Sequence, residues 1–184
     1  MRSHHVSWAA KRRLQWTAFF DLPFALSNGA STWTKGVAMG SIEVSTTIDR
    51  PVQEVFGVVS HIENNPKWST MVLEAQQTTP EPPGLGTKGT TTGKFLGMRL
   101  ETELEITEFE ESVRFAYRSI AGPVERWGKV TFESVGTGTR VGIEVGGDTK
   151  GFFQVADSIV LRVAKRQLQA DLDTLKEMME ARIL

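Results

Sequence analysis

The hydrophobic period changes near the end of this chain, and that change limits the folds open to it. In residues 98–107 apolar side chains recur at every second position, whereas from Phe152 onward they recur every three to four positions. The first pattern predicts strands with one dry face, and the second predicts one helix of roughly 30 residues with a single apolar stripe. Both surfaces are buried if a curved antiparallel sheet wraps around the long C-terminal helix, so we expect an α+β domain.

The segments before that helix supply the rest of the sheet and two short helices. Alternation from Ile42 to Ile48 predicts a first strand, and a helix carrying Val52, Val55, Phe56 and Val59 on one face follows. A short helix or turn is expected at residues 63–68. Further strands are predicted near residues 72–78, 98–107, 113–118, 124–134 and 141–145.

Four short motifs resemble a known superfamily in both order and spacing. They are Ile48–Phe56 (IDRPVQEVF), Glu63–Trp68 (ENNPKW), Gly138–Val141 (GTRV) and the helix end Leu172–Glu180. Over residues 42 to about 181 the chain resembles the START/Bet v 1-like (SRPBCC) superfamily, in particular its polyketide cyclase/dehydrase and lipid-transport branch. The resemblance implies the helix-grip fold, with a cavity between sheet and helix that often holds a lipid, sterol, polyketide or other apolar molecule.

Three functions follow from this resemblance and are left open by the residues. The first is binding of a small hydrophobic ligand for carriage, storage or sensing. The second is a polyketide cyclase/aromatase-like enzyme that folds a flexible chain into a reactive shape. The third is a protein-interaction domain whose core is filled by side chains. Fold membership alone does not choose among them, because one fold hosts many functions.

Composition excludes several other classes of function. The net charge of −1 gives no basic face for nucleic acid, and the absence of cysteine removes thiol chemistry and fits a reducing cytoplasm. No phosphate loop, dinucleotide fingerprint or zinc spacing is present, so we expect neither a cofactor nor a metal. No apolar run is long enough to form an integral membrane segment. A homodimer is compatible with the sequence.

Residues 1–40 differ from the domain that we expect at residues 41–184. They show no clean period and no helix caps, so we predict a poorly ordered N-terminal extension. Met39 stands directly before the first strand, which favours a true start near that codon. The alternative is a genuine tail that docks on the domain or on a membrane through its aromatic side chains, Trp8, Trp16, Phe19 and Phe20.

The expected cavity wall combines the dry face of the sheet with the facing stripe of the last helix. The strand candidates are Met98, Leu100, Leu104, Phe115 and Tyr117, and the helix candidates are Phe153, Ala156, Ile159, Val160 and Val163. Trp68 and Trp127 are candidates for the mouth or wall, with N–H groups for a ligand oxygen. These residues would fill a solid core equally well, but the many strand glycines favour a bent sheet that holds a void.

Three polar residues are weighed separately. Tyr117, the only tyrosine, would orient a ligand or donate a proton if its hydroxyl points inward, and would reach solvent otherwise. Arg126 is a secondary candidate: a regular strand points it inward, but we favour a bulge near Gly128 that turns it outward and Trp127 inward. His61 is the other secondary candidate, as a general base, although a role at the end of the first helix is the simpler interpretation.

Overall fold

The computed structural model describes residues 40–148 and 157–184, which form one antiparallel sheet and its helices. The strands are β1 Ser41–Ile48, β2 Val72–Gln77, β3 Lys88–Phe95, β4 Met98–Glu110, β5 Arg114–Ala121, β6 Glu125–Val135 and β7 Gly138–Asp148. The helices are α1 Val52–Ser60, a 3-10 turn Ile62–Asn64, α2 Asn65–Trp68 and α3 Asp157–Glu180. The N-terminal extension and the predicted helix start at Phe152 lie outside the described residues.

The seven strands lie in the order β1-β7-β6-β5-β4-β3-β2. From β2 to β7 each strand pairs with the next in the chain, and β1 closes the far edge by pairing with β7 from Ser41↔Gly146 to Ile48↔Thr139. Consecutive strands β1 and β2 therefore occupy opposite edges, and α1 and α2 connect one edge to the other. The sheet curls, and with α3 it has the helix-grip α+β architecture, so the predicted fold class is confirmed.

The C-terminal half of α3 fills one end of the concave sheet. Leu172 and Leu175 are fully buried and Met179 is nearly so, in one cluster with Ile48 and Val141. The 3.6-residue period of α3 places these side chains on a single stripe. Phe56 of α1 completes this end by packing edge-to-face against other rings, namely Phe109, Phe115 and Phe132.

A buried carboxylate ties the link between α2 and β2 to the middle of α3. Asp171 is 1% exposed and accepts hydrogen bonds from Ser69 Oγ at 2.6 Å, Thr70 N at 3.0 Å and Thr70 Oγ1 at 2.8 Å. The amide of Gln167, one turn earlier on α3, also donates to Asp171. These bonds fix the distance between α3 and the segment that begins β2.

Candidate functional site

A cavity of about 320 Å³ lies between the concave face of the sheet and α3. It borders the N-terminal half of α3, whereas the C-terminal half packs in the closed core. Its apolar wall comes from several strands and from α3, and includes Leu100, Leu104, Ile106, Phe115, Val130, Ile143, Val145, Val160, Leu161 and Leu168. The side chains of residues 40–148 and 157–184 therefore leave space between the sheet and α3.

The charged side chains of the wall all carry one sign. Its described residues include the cations Lys88, Lys94 and Arg126, and none of them is an aspartate or a glutamate. The two lysines are exposed at the ends of β3, while Arg126 is half-buried. The cavity is thus an apolar space with a positive electrostatic bias.

Tyr117 lies on the wall, with its ring over the backbone of β6. It pairs in register with Gly128, and an ideal Cβ at Gly128 would overlap the phenol ring. Only glycine leaves room there for the ring. Tyr117 is enclosed by protein but keeps part of its surface toward the cavity. Burial raises the pKa of its hydroxyl, and the nearby charge of Arg126 opposes that shift.

Arg126 points to the same side of the sheet, and the bulge we predicted near Gly128 is wrong. β6 runs in unbroken register with β5 and with β7, where Arg126 stands opposite Gly147. Strand alternation therefore keeps Arg126 on the inner face with Val130. Its Nη2 donates to Thr91 Oγ1 at 2.7 Å, its backbone N–H donates to Ser119 Oγ, and burial lowers the pKa of the guanidinium.

Both tryptophans named from the sequence border the cavity. Trp68, the last residue of α2, is 7% exposed, and its Nε1 has no hydrogen-bond partner among the described residues. Trp127 stands opposite Gly146, where an ideal Cβ would come within 2.7 Å of the indole; the same alternation that turns Arg126 inward puts this side chain on the outer face, although the residue borders the cavity. The Trp68 N–H is therefore a buried donor without an acceptor among the described residues, and it has almost no surface that a bound molecule could contact.

On α3 the structure shifts the predicted stripe by about one residue. Val160 borders the cavity, but Ile159 is 51% and Val163 39% exposed, so placing these two on the wall was wrong. The inward positions are instead Leu161 and Ala164. Consecutive apolar residues made the helical phase ambiguous, because neighbours differ by only about 100° around the axis. Phe153 and Ala156 lie outside the described residues.

Two further candidates lie away from the cavity. Met98 opens β4 beside the turn Leu96–Gly97, and its cross-strand partner Phe95 borders the cavity in its place. His61 is the C-terminal cap of α1, where its Nδ1 lies 2.6 Å from the Gly57 carbonyl oxygen and its side chain is 43% exposed. The simpler interpretation of His61 as a helix-end residue agrees with this position.

Two other kinds of feature, a cluster of metal-ligating side chains and a membrane-spanning helix, are absent from the described residues. Within residues 40–148 and 157–184, no three His, Asp or Glu side chains gather so that they could hold a metal ion. Over the same ranges, no helix is long and apolar enough to cross a membrane.

Tyr117 provides a direct optical test of this geometry, because it is the only tyrosine. Its pKa is raised by burial, so the native protein should form phenolate only above the value of about 10 that is usual for tyrosine. The unfolded chain ionises first, so the stability that this group contributes is present below about pH 10 and is lost above it. Phenolate absorbance recorded with and without denaturant measures the difference. Coincident native and denatured curves would place the hydroxyl in water.

Comparison with known proteins places the chain in a family. The family model described as "Polyketide cyclase / dehydrase and lipid transport" matches residues 39–180. A search of curated proteins gives no match.

Several solved structures share the fold at low sequence identity. The protein TTHA0849 from Thermus thermophilus is 18% identical with a TM-score of 0.66, over 78% of this chain and 99% of that one. A START superfamily protein from Mycobacterium smegmatis is 13% identical with a TM-score of 0.63, over 78% and 96%. The di-domain ARO/CYC StfQ from the steffimycin biosynthetic pathway is 16% identical with a TM-score of 0.57, over 77% and 45%.

The family model spans the whole sheet and nearly all of α3. The START and ARO/CYC neighbours have the same architecture. This chain belongs to the polyketide cyclase/dehydrase and lipid transport family.

Proposed function

We propose that this protein binds a small hydrophobic molecule, such as a lipid or a polyketide, in the cavity between the sheet and α3. The observation that supports it is an unfilled space of about 320 Å³ beside a core whose side chains are fully buried. Protein interiors rarely leave such voids. The volume lies at the lower end of the roughly 300–1,000 Å³ typical of ligand pockets. It equals about ten water molecules at ~30 Å³ each.

The apolar wall sets the expected affinity. A ligand that buries about 300 Å² of apolar surface would gain roughly 7 kcal/mol before the entropic cost of binding. Because 1 μM corresponds to about 8 kcal/mol and the entropic cost is subtracted from this gain, apolar burial alone gives binding weaker than micromolar. Polar groups on the wall would then set orientation and selectivity.

A second function, that of a polyketide cyclase/aromatase-like enzyme, is favoured by one observation. Tyr117 and Arg126 border the same cavity and are close enough for the charge of one to shift the pKa of the other. A protonated phenol next to a cation would hold an enolate oxygen while a chain folds. Incubation with a linear poly-β-ketone thioester, followed by mass spectrometry, tests it: loss of water in wild type but not in Tyr117→Phe supports catalysis.

The third function, a domain with a filled core, is disfavoured by the open cavity.

Ligand binding is tested with a neutral apolar probe. N-phenylnaphthylamine fluoresces weakly in water and strongly in an apolar site. We expect a saturable rise in its emission on titration with the protein, with a dissociation constant weaker than about 1 μM. Competition by decanol should reverse the rise. If the protein does not raise the emission of the probe at any concentration, the proposal is contradicted.

We also propose that residues 41–184 are the ligand-binding unit and that the protein works in the cytoplasm. The first rests on the family match to residues 39–180, and the second on the absence of cysteine. Probe binding by the chain beginning at Met39, compared with the full chain, tests the first. Equal affinities are expected.

A further inference from the structure

The guanidinium of Arg126 is an unbalanced charge inside an apolar cavity. Its one side-chain contact in the described part of the chain is the hydrogen bond to Thr91 Oγ1, a neutral acceptor. Its Nε is buried without a hydrogen-bond partner, and none of the ion pairs among these residues includes Arg126. Burying a charge without an opposite charge is costly, so folds normally supply a counter-ion. No described residue of the cavity wall supplies a negative charge to balance Arg126.

The free donors of Arg126 form a usable geometry. Nε has almost no accessible surface, so the donors that a ligand can reach are at the outer end of the guanidinium, on Nη1 and Nη2. Each of these atoms carries two hydrogens, and the bond to Thr91 takes one of those on Nη2. The remaining N–H groups form a fork that matches the two oxygens of a carboxylate. A neutral alcohol or ketone oxygen would satisfy only part of it.

Tyr117 adds another donor next to the fork. Its hydroxyl makes no hydrogen bond to the described residues and stays protonated, because burial raises its pKa. Tyr117 stands opposite Gly128, and Arg126 lies two positions before Gly128 on the same face of β6, so the two side chains are diagonal neighbours across adjacent strands. Gly128 holds the ring in this position, since a side chain there would collide with it. The polar groups at this place therefore donate hydrogen bonds and lack an acceptor.

We propose that the ligand is an apolar molecule with one anionic oxygen group, a carboxylate, which binds the Nη1 and Nη2 donors of Arg126 and the hydroxyl of Tyr117. The apolar body of the ligand lies against the aliphatic wall formed by β4, β7 and α3. The two lysines at the rim, Lys88 and Lys94, attract the anion toward the cavity, and no carboxylate of the described wall repels it. This inference rests on the proposed ligand-binding function and assigns its ligand class.

The test compares ligands that differ only at the head group. Decanoic acid, decanol and methyl decanoate are used at about pH 8, where the acid is ionised, to displace N-phenylnaphthylamine from the full-length protein. A charge-assisted pair of hydrogen bonds should make decanoate bind about tenfold or more tightly than decanol. Arg126→Met should abolish this preference while the neutral probe binds at least as tightly as before. Tyr117→Phe should reduce the preference by a few fold.

A matched control removes the same charge elsewhere. Arg118 on β5 is 63% exposed and pairs with Glu105 on the outer face of the sheet. Arg118→Met should keep the full preference for decanoate. If wild type binds acid and alcohol equally, the carboxylate assignment is overturned and the cavity function stands. If the neutral probe and all three ligands fail to bind, the proposed function fails and the assignment fails with it. The wild-type comparison decides the matter even if Arg126→Met does not fold.

Discussion

Replacing Ala164 with Phe is expected to abolish binding of N-phenylnaphthylamine while the protein keeps its fold. Ala164 is a small, half-buried residue of α3 that borders the cavity. A benzyl group at this position would occupy much of a space of about 320 Å³ and exclude a ligand. A clash of only about 1.4 kcal/mol lowers affinity tenfold, and a ring in the binding space should exceed that. Because the ring enters a void, overpacking should cost less than in a closed core.

The control for this substitution lies on the same helix. Ala170 is exposed, so Ala170→Phe adds the same side chain outside the cavity. It should leave probe affinity within about twofold of wild type, as expected for an exposed site far from the ligand. Both variants are measured by probe titration, with thermal melting to establish folding. A folded Ala164→Phe protein that binds the probe as wild type does would show that the ligand lies somewhere else.

Replacing Asp171 with Ala should have the largest effect on stability among polar substitutions in this domain. The change leaves the buried hydroxyl of Ser69 and two part-buried donors of Thr70 without their acceptor. Each unsatisfied buried donor costs about 1–3 kcal/mol, so we expect the free energy of unfolding to fall by about 3 kcal/mol. For a chain of this size the melting temperature should fall by roughly 6–12 °C. Probe binding should weaken as well, because Ser69 borders the cavity.

Asp173 supplies the matched control for Asp171. It is exposed on α3, where it accepts one hydrogen bond from Gln169. Asp173→Ala should change stability by no more than about 0.5 kcal/mol. Urea denaturation of both variants gives the two free energies directly. Equal stability of Asp171→Ala and wild type would mean that water satisfies the donors and that this cluster does not hold α3 in place.

The fold class could be predicted because the strand pattern and the helix pattern each predict an apolar surface that the other can cover. Strict alternation in β4 indicates a sheet with one dry face, and the stripe through Leu172, Leu175 and Met179 indicates a helix with one apolar face. Neither surface can be buried alone, so packing one against the other is the simplest solution. The structure has this arrangement, with those three helical side chains at most 1% exposed.

β3 gave no such signal and was missed as a separate strand. Its sequence, KGTTTGKF, contains no apolar alternation, although it pairs along its whole length with β4. Backbone hydrogen bonding to both neighbours is enough to define a central strand when its side chains are small. The omission hid Thr91, which is buried and holds Arg126.

The inward position of Arg126 could not be settled from the sequence alone. Burying a charge is unfavourable, and this argument favoured a bulge that would expose it. The register of β6 with both neighbours shows that the strand keeps its alternation and accepts the charge. In the proposed function this charge is kept for a ligand, and a sequence argument about the ligand-free protein does not take that into account. The orientation of Arg126, the residue with the most specific proposed contact to the ligand, was thus predicted wrongly.

The central claim, that this cavity holds a small apolar molecule, is tested most directly by native mass spectrometry. The full-length protein is purified without detergent from the cells that normally make it, and any bound molecule is released and identified. We predict a mass above that of the chain, in stoichiometric amount, from an apolar molecule that carries a carboxylate. A protein that consistently shows only the mass of the chain, and that also does not raise the emission of N-phenylnaphthylamine, would contradict the claim.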